Sequence, residues 1–186
     1  MPFPVAPLKP SEIINQAFLV LEFAVKVFSH AKQGRMNPSD FNAPVEMRLE
    51  DGPLMLDNPV FDSPDEIVNS AHNMVRLAFG FTASSLYSAV DSAGIGQGDS
   101  EHLQDLRDLV YMIRCAFAHP DQMIRPVWKV RRKYAREMRL SLPSGPLILD
   151  LPALDGRPFN IADIGGDHRY FELKDEVLRL VLEKEH

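Results

Sequence analysis

Residues 103 to 119 read Leu-Gln-Asp-Leu-Arg-Asp-Leu-Val-Tyr-Met-Ile-Arg-Cys-Ala-Phe-Ala-His, and Pro120 comes directly after them. Leu103, Leu106, Val110, Ile113 and Phe117 recur at spacings of three and four, the apolar stripe of a helix lying against a core. Arg107, Tyr111, Arg114 and Ala118 form the neighbouring row, which sets cations and an aromatic hydroxyl at the edge of the packed face. Pro120 drives His119 out of helical geometry, so the helix is predicted to end at Ala118 or His119. The imidazole then stands at a helix C-terminus, whose partial negative charge favours the imidazolium.

An arginine with a histidine beyond the next four residues, at the end of a core helix, resembles the signature of the HEPN superfamily, the higher-eukaryote and prokaryote nucleotide-binding helical domains. Arg114, Cys115, Ala116, Phe117, Ala118 and His119 carry the resemblance. It implies an up-and-down bundle of four or five helices, often a metal-independent ribonuclease, paired so that the arginine and histidine of two chains share a cleft. Arg114 would then hold the scissile phosphate and His119 would move a proton at the ribose 2′-hydroxyl or the leaving oxygen, with Tyr111 and Arg107 as supports. The family often has a polar residue, frequently asparagine, after the arginine; here it is Cys115, which favours a non-catalytic form. The stretch from Leu154 through Gly166 also resembles the segment C-terminal to the motif in bacterial HEPN-like proteins. A role in phage defence is implied by the family alone. A structural reading stays open beside this one: Arg114 capping carbonyls or pairing with an acid such as Asp108, and His119 merely ending the helix.

With 186 residues and 45% hydrophobic content, the chain is predicted to form a single domain with one well-buried core. Cys115 is the only cysteine, which excludes an internal disulfide and suits a reducing compartment. The longest apolar run, Ala17 to Phe28, is interrupted by Glu22 and Lys26 and falls short of the ~20 residues of a membrane span. The first residues lack the basic start and apolar segment of a secretory signal, so the expected location is cytoplasmic, with no membrane partner.

The formal charge is −6, yet residues 125 to 139 hold seven basic side chains against Glu137, a local +6 on a body of −12. Arg125, Lys129, Arg131, Arg132 and Lys133 in this segment are candidates for guiding RNA or a nucleotide to Arg114 and His119. A solvated face that pairs with the acidic body is the equal alternative.

Pro2, Pro4, Pro7 and Pro10 predict an extended arm, after which Ser11 caps a helix running through Phe18, Leu21 and Phe28 to Lys32. That helix is apolar on most sides, as expected of one surrounded by others or covered by a second copy. Residues 34–62 are broken by four X-Pro steps and form an irregular insertion, with Val45, Met47 and Leu49 alternating as in a short strand; it is expected to lie wrapped on the bundle or over the cleft as a lid. Ser63-Pro64-Asp65-Glu66 starts a second long helix to about Ala93, with Gly80 a point of close packing or bending and His72 and Arg76 facing solvent. Asp99 or Ser100 caps the motif helix.

After His119, Pro126 to Val130 and Met138 to Leu142 read as strands, and Leu147 to Leu151 with Phe159 to Ile161 as a hairpin across Asp155-Gly156. A final helix covers 170–184. The predicted class is therefore α+β, mainly helical: a bundle over 11–120, a small β appendage over 126–163, and a closing helix. No histidines lie three or four apart, so neither a metal nor another cofactor is expected. The functional expectation is a homodimer that binds RNA or nucleotide and cleaves it without metal, or a non-catalytic helical interaction module.

Overall fold

The structure, a computed structural model, describes residues 7–50, 52–98, 100–118 and 124–186. The proline arm before residue 7, the alternative cap Asp99, and His119 and Pro120 of the motif lie outside the described residues. The elements are α1 (Pro10–Lys32), α2 (Pro38–Asn42), β1 (Val45–Leu49), β2 (Gly52–Leu56), α3 (Pro64–Ser92), α4 (Glu101–Ala116), β3 (Glu137–Leu142), β4 (Gly145–Asp150), α5 (Leu151–Leu154) and α6 (Asp167–Glu185). The fold is mainly helical α+β, with two antiparallel hairpins and a final helix on the core.

α1 and α3 pack along most of their length, antiparallel, with Ile14, Phe18 and Leu21 buried. Helix α1 begins two residues earlier than a Ser11 cap implies because Pro10 takes the first helical position, and Glu12 accepts a hydrogen bond from the Lys9 N–H at 2.9 Å. Ser11 therefore does not cap. Its N–H and hydroxyl both donate to the Glu185 carboxylate, at 3.0 and 2.8 Å, tying the first helix to the end of the last. At 23 residues α1 is long and apolar enough to cross a membrane, although one side of it is buried on α3 and α6.

Ser63 caps α3 as expected, accepting the Glu66 N–H, while the Glu66 carboxylate reaches past it to the N–H of Asp62 at 2.7 Å. Asn42 closes the base of the insertion by bonding the Val60 and Phe61 backbone. The insertion is more regular than predicted, and β1 and β2 do not wrap on the bundle: every described residue of both strands is exposed. Register sets Val45 against Leu56 and Met47 against Leu54, so one face of this hairpin is apolar and uncovered.

The second hairpin corrects the sequence reading. β4 turns back onto β3 through Pro143 and Ser144, pairing Met138 with Leu149 and Leu140 with Leu147. This pairing buries Met138, Leu140, Leu142, Leu147 and Leu149 together, whereas the expected partner, Phe159 to Ile161, supplies no such alternating row. Asp150 and Pro152 instead start the short helix α5, and Ile161–Ile164 is a 3₁₀ turn. Pro126 to Val130 is not a strand beyond a single bridge between Val127 and Pro158; a 3₁₀ turn, Arg132–Tyr134, comes next. Trp128 is fully buried there and donates to Asp163 at 2.9 Å.

An aromatic series joins these parts. Phe18 stacks on Tyr170, Tyr170 on Phe79 at 4.3 Å, and Phe79 meets Phe117, which meets Phe159, which meets Trp128. The Tyr170 hydroxyl is satisfied by Thr82 at 2.8 Å, as a buried phenol requires. The series thus fixes α1, α6, α3, the end of α4 and the appendage in one core.

Candidate nucleic-acid interface

Asp105, Leu109, Met112 and Ala116 are buried, which gives α4 a wider packed arc than the five-residue stripe read from sequence. The helix stops at Ala116, two or three residues short of the expected end at Ala118 or His119, with Phe117 as its C-cap residue. Ser100 stands at its start without a side-chain cap bond. Tyr111 packs against Tyr87 of α3, and Phe117 packs against Gly80, so Arg114 lies between these contacts, over the 80–87 stretch of α3. Its side chain is half-buried and, among the described residues, makes no ion pair or side-chain hydrogen bond.

The acids nearest in sequence are engaged elsewhere. Arg107 pairs with Asp91 at the end of α3, and Arg136 bridges Asp105 and Asp108, the latter at 2.8 Å. Pairing of Arg114 with Asp108, the structural alternative, is therefore not what the fold adopts. Asp105 is 3% exposed and also accepts the Arg139 N–H at 3.0 Å. Burial raises the Asp108 carboxyl above its ordinary range, and Arg136 offsets only part of that.

These contacts divide the cationic segment. Arg136 is a structural residue, and Arg139 pairs with Glu137. Arg125, Lys129, Arg131, Arg132 and Lys133 are exposed and make no ion pair among the described residues. Arg131 lies over the Tyr111 ring with its guanidinium carbon 5.7 Å from the centroid, which brings the cationic segment within one helical turn of Arg114. Lys133 sits 4.5 Å above the Tyr134 ring.

Tyr111 and Arg107 face a hollow of about 470 Å³ that Arg114 does not line. Tyr87, Tyr111 and Tyr134 form its aromatic wall, with Arg107, Asp108 and Lys133 among the polar groups. Burial and a hydrogen bond with Cys115 push the Tyr111 hydroxyl up to about 12, so it stays protonated at neutral pH. Cys115 itself is buried.

A second hollow, of about 280 Å³, adjoins Phe117 and Pro126 where α4 ends, and His72, Arg76, Asn160 and Asp167 line it. His72 and Arg76 are half-buried there rather than solvent-facing, because His72 stacks on Phe28 at 5.0 Å. Burial, with Arg76 and Lys32 close by, lowers the His72 imidazole below its ordinary value. The clue was present in sequence: Phe28 and His72 sit on helices whose apolar faces must meet. Nearby, Asp163 accepts from Trp128 and His168 lies beside Glu172. Among the described residues no three His, Cys, Asp or Glu side chains are grouped to hold a metal ion. Comparison with known proteins returns no family model, no curated protein and no solved structure that matches the chain.

Proposed function

We propose that the protein is a HEPN-like, up-and-down helical bundle that binds RNA or nucleotide phosphates through Arg114 as a homodimer, and that His119 makes it a metal-independent endoribonuclease. The observation that carries the binding reading is the partition of charge around α4. Arg107 and Arg136 take up Asp91, Asp105 and Asp108, whereas Arg114 and the Arg131–Lys133 cations are left without an ion pair among the described residues. Cations maintained without acid partners on a chain of net charge −6 suit a polyanion.

In the catalytic form, the 2′-oxygen attacks phosphorus as its proton passes to a base, the bond to the 5′-oxygen breaks, and that oxygen takes a proton from an acid. His119 serves as acid or base and Arg114 neutralises charge on the phosphate oxygens. The second reading is a non-catalytic binding module, favoured by buried Cys115 at the position after Arg114. A role in phage defence rests on the HEPN resemblance alone.

A second copy has surfaces to cover. Leu19, Val20 and Phe23 of α1 and Met74, Leu77 and Phe81 of α3 are exposed on two helices that pack together. Exposed large apolar side chains in such numbers suit an interaction site.

The deciding experiment is incubation of end-labelled single-stranded and structured RNA with purified protein in excess chelator, beside Arg114→Ala and His119→Ala. Cleavage by the wild type that both variants lose, with melting temperatures unchanged, is the expected result. Binding without cleavage, weakened by Arg114→Ala, would assign the non-catalytic module, and neither binding nor cleavage by folded protein would remove the RNA reading.

A further inference from the structure

We infer that the hollow walled by Tyr87, Tyr111 and Tyr134 is a nucleotide subsite, taking one nucleobase against the tyrosine wall and its phosphate on Lys133 and Arg131. The inference shares its ligand class with the proposed function but uses a different set of residues. The hollow, at about 470 Å³, has the size of a small-molecule site. Its wall is aromatic, its lip is cationic, and Asp108 lines it as a polar group for a base edge. That combination fits a planar, polar-edged ring joined to an anion better than an aliphatic or a purely anionic ligand.

The ring geometry defines how the base is held. Tyr87 and Tyr111 have centroids 5.1 Å apart at 58°, and Tyr111 and Tyr134 are 5.1 Å apart at 44°. A base sandwiched between two rings needs them about 7 Å apart, two van der Waals contacts of about 3.5 Å. Neither of these neighbouring pairs can sandwich a base, so the base lies against the wall that they form.

Charge points the same way. Arg107 is held by Asp91, and Asp108 is held by Arg136, so neither brings unbalanced charge into the hollow. Arg131 and Lys133 are exposed and rest over the Tyr111 and Tyr134 rings without an ion pair among the described residues. A solvent-exposed cation over a ring is held by about 0.5–1 kcal/mol, little enough to turn toward an arriving phosphate. Tyr111 lies one turn before Arg114, so a strand with one nucleotide in the hollow can carry the next phosphate toward Arg114.

The test is calorimetric titration of the full chain with adenosine 5′-monophosphate, uridine 5′-monophosphate and ribose 5-phosphate, using wild type, Tyr87→Leu and Lys133→Glu, with single-stranded RNA binding by wild type and Arg114→Ala measured beside it. Both nucleotides should bind, with ribose 5-phosphate about tenfold weaker, the loss of one base–aromatic stack. Lys133→Glu and Tyr87→Leu should each weaken nucleotide binding about tenfold. Lys133 is exposed, so its variant tests the site without risk to the fold. Equal binding of ribose 5-phosphate and nucleotide, absence of binding, or nucleotide affinity indifferent to Lys133→Glu would overturn the subsite. Mononucleotide binding that depends on Lys133 while single-stranded RNA ignores Arg114→Ala would keep the subsite and sink the Arg114 reading instead.

Discussion

Gly80 lies directly against the Phe117 ring: a Cβ at that glycine would stand 3.2 Å from Cδ1 and 3.3 Å from Cβ of Phe117. Helices α3 and α4 meet here as closely as a backbone and a side chain can. Phe117 is hemmed by Phe79 at 5.3 Å and Phe159 at 5.2 Å, so it has little room to yield. Gly80→Ala gains about 1 kcal/mol of helix propensity but overpacks the core, which typically costs about 1–3 kcal/mol. A net loss of roughly 1 kcal/mol is expected in urea unfolding. A gain in stability would show that the ring moves aside.

Arg136 and Lys133 are three residues apart and should behave oppositely. Arg136→Met leaves Asp105, 3% exposed, without its cation. Breaking a buried pair costs about 3–5 kcal/mol, and solvent reaching the half-exposed guanidinium lowers the expectation to about 1–3 kcal/mol. Arg131→Glu with Lys133→Glu should leave stability within about 0.5 kcal/mol per site, as surface changes do. The same pair should weaken single-stranded RNA binding and flatten its logarithmic salt dependence by about one unit or more. If Arg136→Met reduced RNA affinity without touching stability, the division of the cationic segment drawn from the contacts would be wrong.

The contrast shows what periodicity conveys and what it does not. The long helices, the strand residues Met138 to Leu142 and the close packing at Gly80 obey local rules of spacing, capping and size, so they are legible along the chain. Which strand pairs with Leu147 to Asp150 depends on which partner offers a matching apolar face, a relation that a turn signal at Asp155-Gly156 cannot convey. The charge partition is long-range in the same way. One signal was present, since Asp105 lies on the same face as Leu109 and Met112, and a carboxylate there demands a cation from elsewhere in the chain. The tyrosine hollow had no such signal, because Tyr87, Tyr111 and Tyr134 come from three separate segments.

Alkaline titration should report on the hollow and the core together. Of the four tyrosines, Tyr111 is pushed up to about 12, and burial raises Tyr170 further. A folded-state value above the unfolded value of about 10 means that the native state holds the proton longer. This contribution to stability is whole below about pH 10 and is lost as pH rises through the folded value. Phenolate absorbance should therefore show at least two late-ionising tyrosines, with alkaline unfolding after them. Ionisation of Tyr111 and Tyr170 near pH 10 in protein still folded by circular dichroism would contradict these two settings.

Phe23 is 63% exposed in the middle of α1, beside Leu19 and Val20, while Leu77 and Phe81 stand exposed on α3, which packs with α1. A large aromatic left in water on a regular helix gains most when a second copy covers it, by roughly 1.5–3 kcal/mol for the whole side chain. Light scattering should thus give a mass near twice 21.0 kDa for the wild type. Phe23→Glu should halve that mass while leaving the melting temperature of the monomer nearly unchanged, because the side chain makes little of the internal core. Cleavage, if it needs two copies of Arg114 and His119, should fall with the dimer and recover at high protein concentration. A wild type that is monomeric at every concentration would remove the shared cleft. A dimer indifferent to Phe23→Glu and broken by Met47→Glu would move the interface to the exposed apolar face of the β1–β2 hairpin, where Met47 opposes Leu54.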